Sequence, residues 1–464
     1  MAEHRHAPEA PDAPAVSAGL PAGPEVPLTY ARVLAIALPV VLSNATVPLQ
    51  GAIDTAIIGN LGDTVLLAAV ALGATVMSFV FGIFNFLQIG VSGTAAQALG
   101  ARNPGRVVNT LLRALALAQI IALALILLQG PIAALVLGFF EASAGAEAAA
   151  RAYFAIRIWG GPLELANYAL MGWFAGQERT RRLFEMQLAI SVSNVALTLL
   201  LVMGLGLGIE GLALGTVAAQ GVGLAYGFWQ ARRRARAILP PGWRAERARI
   251  LDPGELGALL RLNRDIFIRS LLLIASFAWI TRLGSMQGDV VLAANGVLLA
   301  FFAVSTAGLD GFAIAAESLV GQAKGAGSRA RLRRAVVVST VSAFALAAVF
   351  SVLLLAGAST LIRLFTTVEA VRAVAEAYAV WAALIPLAGV AAFQLDGIFI
   401  GAAAGPAIRN AMIGAAAIFL PAGWWMTVSF GNDGMWASVW LFLLLRAGFL
   451  AVRYPALERA VAPR

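Results

Sequence analysis

Twelve apolar runs, each near the length that crosses a bilayer and joined mostly by short polar connectors, dominate this 464-residue chain. A transmembrane helix needs about 20 mostly apolar residues, because in lipid every backbone N–H and C=O must be bonded within the segment. The runs fall at approximately 31–59, 66–98, 107–129, 150–176, 184–206, 210–230, 258–284, 290–319, 335–357, 373–402, 408–429 and 435–453. Only 12% of residues are charged, against about 25% in soluble globular chains. The fold class that follows is an all-α polytopic membrane protein. A transmembrane barrel would instead show short segments of alternating polarity. Two shorter apolar pieces, near 130–140 and 358–366, read as helix extensions or interfacial segments.

The charges are distributed by side. With the N-terminus inside, one set of connectors holds Arg102, Arg106, Arg113, Arg179, Arg181, Arg182, seven arginines from Arg232 to Arg249, and Lys324 to Arg334. The other side holds Arg151, Arg157, Arg282, Arg363 and Arg372 beside Asp63, Glu141, Glu147, Glu210, Asp289, Glu369 and Asp433. The positive-inside rule then puts both termini in the cytoplasm. The net charge of +9 is thus an orientation signal that also meets anionic headgroups, and nucleic acid is excluded as a partner. With no cysteine, and with His4 and His6 both in the N-terminal tail, thiolate and histidine metal chemistry are excluded from the membrane. No Walker A sequence is present, so ATP does not drive the protein directly. The expectation is a protein that is not an enzyme and carries no cofactor.

An internal repeat divides the chain. Gln97-Ala98-Leu99-Gly100-Ala101 is echoed by Gln322-Ala323-Lys324-Gly325-Ala326, and Gly172-Trp173-Phe174-Ala175-Gly176 by Gly397-Ile398-Phe399-Ile400-Gly401, both at an offset of 225. Two separated motifs at one offset indicate duplication. Six spans separate the copies, so the halves are parallel repeats, an arrangement typical of transporters that rock about a midplane site. The domains read as a disordered cytoplasmic tail at 1–29, an N-lobe at 30–230, a basic cytoplasmic linker at 231–256, a C-lobe at 257–455 and a cytoplasmic tail at 456–464. The first 29 residues lack the apolar core of a cleavable signal peptide, so the first span is expected to stay in the membrane.

Asp54 stands alone in an otherwise uncharged stretch from Val33 to Leu61. A carboxylate at mid-bilayer costs roughly 3 kcal/mol on insertion scales, and such groups usually face a cavity and carry function. Ser43, Thr46, Gln50 and Asp54 follow spacings of 3, 4 and 4. At about 100° per residue they share one arc of roughly 80°. The plain reading is a polar seam between helices. The sharper reading is a proton site, because one acid among neutral partners can take a proton from one side and release it to the other. Pro39 and Pro48 each remove a backbone hydrogen bond from the same helix.

The stretches LPVVLSNATVPLQGAIDTAIIGNLG (38–62), VSGTAAQALGARN (91–103), LVMGLGLGIEGLALGTVAAQ (201–220), LNRDIFIRSLLLIASFAWITRLG (262–284), LDGFAIAAESLVGQAKGA (309–326) and QLDGIFIGA (394–402) resemble the multidrug and toxic compound extrusion (MATE) transporters. Within them the chain is similar to the bacterial DinF-like branch, over roughly residues 30–455. The resemblance implies twelve helices in two six-helix lobes in a bacterial inner membrane. It implies export of lipophilic, often cationic, organic compounds in exchange for protons or sodium. In proton-coupled members a span-1 aspartate is taken as the ion-sensing residue, with a proline about fifteen residues earlier bending the helix; Asp54 and Pro39 match both. Many relatives carry Asn and Asp four apart in span 5, whereas here Asn194 is followed by Thr198. Losing that acid favours protons over sodium, which prefers several oxygen ligands.

Asn85, Gln88, Glu164, Asn167 and Asn194 are candidates to complete an N-lobe cavity, with interhelical hydrogen bonding as the alternative. Arg157 lies seven residues before Glu164 on the same face, and pairing would make Glu164 structural. In the second half Asp265 and Arg269, four apart, read as an intrahelical ion pair at an inner gate. Asp310, Glu317 and Asp396 form a candidate C-lobe cation site; the alternative is pairing with Arg269 or Arg282. Met77, Met171, Phe79, Phe84, Trp159, Trp173 and Trp381 are candidates for an adaptable apolar chamber wall. One chain supplies both lobes, so a monomer is expected. A flippase for a lipid-linked precursor is the runner-up. It would want a cationic central cavity, whereas the arginines read as lying near helix ends.

Overall fold

The structure, a computed structural model, describes residues 27–59, 64–138, 143–245 and 250–461. Residues 1–26 of the tail expected at 1–29, including His4 and His6, lie outside them, as do Asp63, Glu141, Arg247 and Arg249. The described residues form helices and short connectors, with no strand among them.

The spans, numbered as above, are Tyr30–Gly59 (span 1), 64–100 (span 2), Pro104–Leu127 (span 3), 144–176 (span 4), 180–204 (span 5), Gly208–Ile238 (span 6), Pro253–Ser285 (span 7), Asp289–Gly325 (span 8), Arg329–Phe365 (span 9) and Glu369–Gly401 (span 10). Spans 11 and 12 share the helix Gly405–Ala451, which breaks at Gly431, where φ is 59° and ψ −135°. Only glycine adopts that backbone without strain, so the break sits where a side chain is missing. Ten helices are apolar and long enough to cross a membrane on composition alone. Span 4 is not among them, because Glu147, Arg151, Arg157 and Glu164 lower its hydropathy. The piece near 130–140 is a separate short helix, Gln129–Leu137, and the piece near 358–366 simply extends span 9. Span 6 continues to Ile238, into the stretch read as linker.

Several spans are irregular where they matter. Span 2 is broken by a 3₁₀ turn at Ile83–Asn85, span 4 by another at Ile158–Gly160, and span 5 ends in a π-helical turn at Leu199–Gly204. Irregular backbone at membrane depth is tolerated where protein or a cavity surrounds it. Span 1, by contrast, runs as one continuous helix through Pro39 and Pro48.

The first and last described residues lie on one face, called the terminal face. Arg334 Nε donates to the Leu28 carbonyl at 3.4 Å, and Arg329 Nε to the Val461 carbonyl at 2.7 Å, both from the start of span 9. The expected C-terminal tail therefore begins as a docked helix, Tyr454–Arg459.

The repeat is visible as packing. A methyl group added at Gly172 would overlap the Gln88 carbonyl, and one at Gly397 the Ala313 carbonyl. Gly176 stands in the same relation to Ser92 as Gly401 does to Glu317. Each pair is displaced from its counterpart by 225 positions. Span 2 thus meets span 4 as span 8 meets span 10, in each half through glycines that let backbones touch. Across the halves the relation is reciprocal: Gly100 abuts the Gln322 carbonyl and Gly325 abuts the Gln97 carbonyl.

Candidate functional site

The two halves meet tightly at the terminal face and part deeper in. Besides the Gly100 and Gly325 contacts, Gln97 Nε2 donates to the Gly401 carbonyl at 2.8 Å, and Ser318 Oγ to the Ala175 carbonyl at 2.6 Å. Beyond this seal lies a cavity of about 560 Å³. Asn44, Asn85 and Gln88 face it from the first half, and Arg269, Asp310, Glu317, Asp396 and Arg446 from the second. Its aromatic wall is Phe277, Phe302 and Phe393. The broken backbone of span 2 delivers Asn85 to this space.

The second-half charges form a network. Asp396 Oδ2 accepts from Arg269 Nη2 and Arg446 Nη2, both at 2.5 Å. Arg446 also lies over the rings of Phe393 and Phe442, each 5.6 Å from the guanidinium carbon. The Asp265–Arg269 pair expected from spacing does not form. Asp265 is instead held by Arg264 at 3.0 Å and by Arg409 of span 11 at 2.8 Å, while Arg269, a turn deeper, faces span 10. Asp310 and Glu317 line the cavity with Asp396, but the three do not gather. No group of three or more acids, histidines or cysteines able to hold a metal ion occurs among the described residues. Glu317 is buried near the Ser92 hydroxyl, and its Oε1 has no hydrogen-bond partner among the described residues.

Asp54 lies apart from this cavity, in the first half. It is half-buried, with its Oδ1 sealed from solvent and without a hydrogen-bond partner among the described residues. Arg157 and Tyr153 are within its electrostatic reach. Arg157 Nη2 donates to Glu164 Oε2 at 3.1 Å, and Tyr168 donates to the other Glu164 oxygen at 3.5 Å. Arg157 Nε and Nη1 are buried with no close hydrogen-bond partner among the described residues, although the Tyr153 hydroxyl is near, and the guanidinium sits over the Phe81 ring. The unsatisfied Asp54 oxygen therefore lies within electrostatic reach of a buried guanidinium shared between Glu164 and Tyr153.

The remaining polar candidates are spread among helix contacts. Ser43 is buried, and Thr46 Oγ1 donates back to its carbonyl at 2.7 Å. Gln50 accepts from Ser191 of span 5 at 3.1 Å. Asn167 Nδ2 donates to Gln220 Oε1 at 2.7 Å, and Asn194 Nδ2 to Thr216 Oγ1 at 3.1 Å. Thr198 is buried with its hydroxyl unpartnered. Met77, Met171 and Trp173 are buried in the first-half core rather than lining the central cavity.

Two arginines of this network, Arg446 and Arg269, are not among the sequence candidates for the cavity. Arg446 stands alone in the run WLFLLLRAGFLAV, the same signal that singled out Asp54. Arg269 was assigned a partner by spacing rather than by depth.

The fold and its mixed-charge cavity define a polytopic membrane transporter, not an enzyme. The chain belongs to the MatE family, whose model matches residues 39–200 and 266–425, one segment in each half. It is 37% identical over 428 residues to "DNA damage-inducible protein F" of Escherichia coli strain K12, covering 90% of each chain. It is 30% identical over 458 residues to "Probable multidrug resistance protein NorM" of Bradyrhizobium diazoefficiens, covering 93% of this chain and 94% of that one. Among solved structures, a multidrug resistance MATE family transporter in an outward-facing conformation aligns with TM-score 0.82 at 18% identity. The alignment covers 93% of this chain and 97% of that one. A MATE structure in a bent conformation aligns with TM-score 0.83, also at 18% identity and 93% of this chain.

Proposed function

We propose that this protein exports lipophilic, often cationic, organic compounds from a bacterial cytoplasm in exchange for protons, as a monomer in the inner membrane with both termini inside. The relatives named for multidrug resistance support the substrate class. The two halves, 30–230 and 257–455, joined through 231–256, rock so that the central cavity opens to one face and then the other. Coupling rests on one observation: the unsatisfied Asp54 oxygen within electrostatic reach of Arg157, which pairs with Glu164. A charged Asp54 competes with Glu164 for Arg157, and a protonated one releases it. Span 1 then shifts against its neighbours, with Pro39 supplying the weak point.

The test is efflux of an ethidium-like cation from proteoliposomes with proton and sodium gradients imposed separately. Wild type is expected to respond to the proton gradient and Asp54→Asn to lose at least a tenfold share of that response while inserting normally. An unchanged Asp54→Asn rate, or drive by sodium alone, overturns the reading. The flippase reading has one observation in its favour, since Arg269 and Arg446 do line the cavity. Both bond Asp396, which leaves no cationic surplus for a phosphate there.

A further inference from the structure

A second cavity, of about 280 Å³, opens at the terminal face between the two halves. Span 3 contributes Arg106 and Arg113 to it, and span 7 contributes Arg261 and Arg264. Two acids share the space. Glu255 pairs with Arg106 at 3.1 Å and Arg113 at 3.3 Å. Asp265 is already divided between Arg264 and Arg409. Arg261 makes no ion pair among the described residues, and its side chain is exposed. Among the described residues, four guanidiniums therefore line the space beside two carboxylates, and a fifth, Arg409, reaches Asp265 from outside the lining. The start of span 11, at Gly405 and Pro406, also borders the cavity and turns the positive end of that helix toward it.

Surface arginines that serve only to orient a membrane protein are dispersed and solvated. Here they line a concave space with a standing positive excess, at the boundary where phospholipid headgroups lie. Guanidinium forks match phosphate oxygens in pairs, which carboxylate-poor surroundings reward. Basic pockets between transmembrane helices are suited to anionic headgroups. We propose that this cavity binds a phosphate group, carried by an anionic phospholipid headgroup or by a soluble phosphate. Because its arginines come from both halves, an occupied site clasps them and favours the arrangement in which the terminal face is sealed.

The site is distinct from the central cavity, and its test does not depend on transport. Purified full-length protein in a neutral detergent is melted with added dioleoylphosphatidylglycerol, dioleoylphosphatidylcholine or inorganic phosphate. Arg261→Gln is compared with Arg232→Gln, an exposed arginine on span 6 that removes the same charge elsewhere. Phosphatidylglycerol is expected to raise the melting temperature of wild type and of Arg232→Gln, whereas phosphatidylcholine does not. Arg261→Gln is expected to lose more than half of that gain while melting like wild type without ligand. If inorganic phosphate gives the Arg261-dependent gain and the lipid does not, the site stands with a soluble ligand. Equal gains from both lipids, equal losses in the two variants, or no gain from any probe overturn it.

Discussion

Asp396 accepts from two guanidiniums on one oxygen, and Asp310 lies within the electrostatic reach of all three groups. Two positive and two negative side chains then balance in a space where an unbalanced charge is expensive. Removing one partner of a buried pair costs about 3–5 kcal/mol, mostly through the charge left behind. Arg446→Leu is therefore expected to lower the melting temperature sharply. Adding Asp310→Asn restores neutrality, so the double variant should melt well above Arg446→Leu alone. A thermal double-mutant cycle checks this, and strict additivity would show that the groups are not coupled. This network also marks how far residues were legible. The Asp54 and Arg446 signals are the same, a lone charge in an apolar run. The Asp265–Arg269 reading failed because a spacing of four makes a contact geometrically open without choosing it. Arg409 arrives from a span 144 positions away, and no local pattern announces it.

At the scale of elements, the apolar runs predicted twelve spans whose order matches the structure, and the ends moved by up to eight residues, as at the ends of spans 6 and 9. The exceptions have causes. Span 4 carries a buried ion pair that lowers its hydropathy, and spans 11 and 12 continue one helix through Gly431. Breaks inside spans 2, 4 and 5 were not legible, because a 3₁₀ or π turn leaves no composition signature. Span 1 shows the converse. Its two prolines predict a weak point, and the helix runs unbroken through both. An interior proline costs about 3 kcal/mol relative to alanine in a soluble helix. Pro39→Ala should therefore hold or raise the melting temperature. Under the proposed coupling it should slow proton-driven efflux several-fold, with substrate binding retained. Wild-type efflux in Pro39→Ala would show that span 1 need not yield there.

The whole molecule is a pair of similar halves that meet both through close backbone contacts at glycines and through a shared apolar core, in which Val33, Ile36 and Ala37 of span 1 pack with Leu309 and Phe312 of span 8. The repeat at 225 positions was legible as sequence, but not why those motifs repeat. The structure supplies the reason: the duplicated glycines are the points where backbones touch, within each half and between them. Gly100 and Gly325 are different in kind from Gly172 and Gly397, since their contacts exist only while the halves are together. An alanine at Gly100 places a methyl group against the Gln322 carbonyl, and backbone on both sides leaves little room to yield. Overpacking of this sort costs about 1–3 kcal/mol. Here the penalty falls on the sealed arrangement alone, so the fold should persist while the terminal face opens. The chain has no cysteine, so a single introduced thiol can report the change. Ser318 is fully buried and donates to Ala175 across the seal. In a Ser318→Cys background, a water-soluble maleimide should label the protein slowly. Adding Gly100→Ala should raise the labelling rate by roughly tenfold, the factor that about 1.4 kcal/mol confers on an equilibrium. Gly172→Ala should instead lower the melting temperature, because its clash lies inside one half and no rocking motion relieves it. Equal labelling of the Ser318→Cys protein with and without Gly100→Ala would mean that the glycine contacts do not hold the seal.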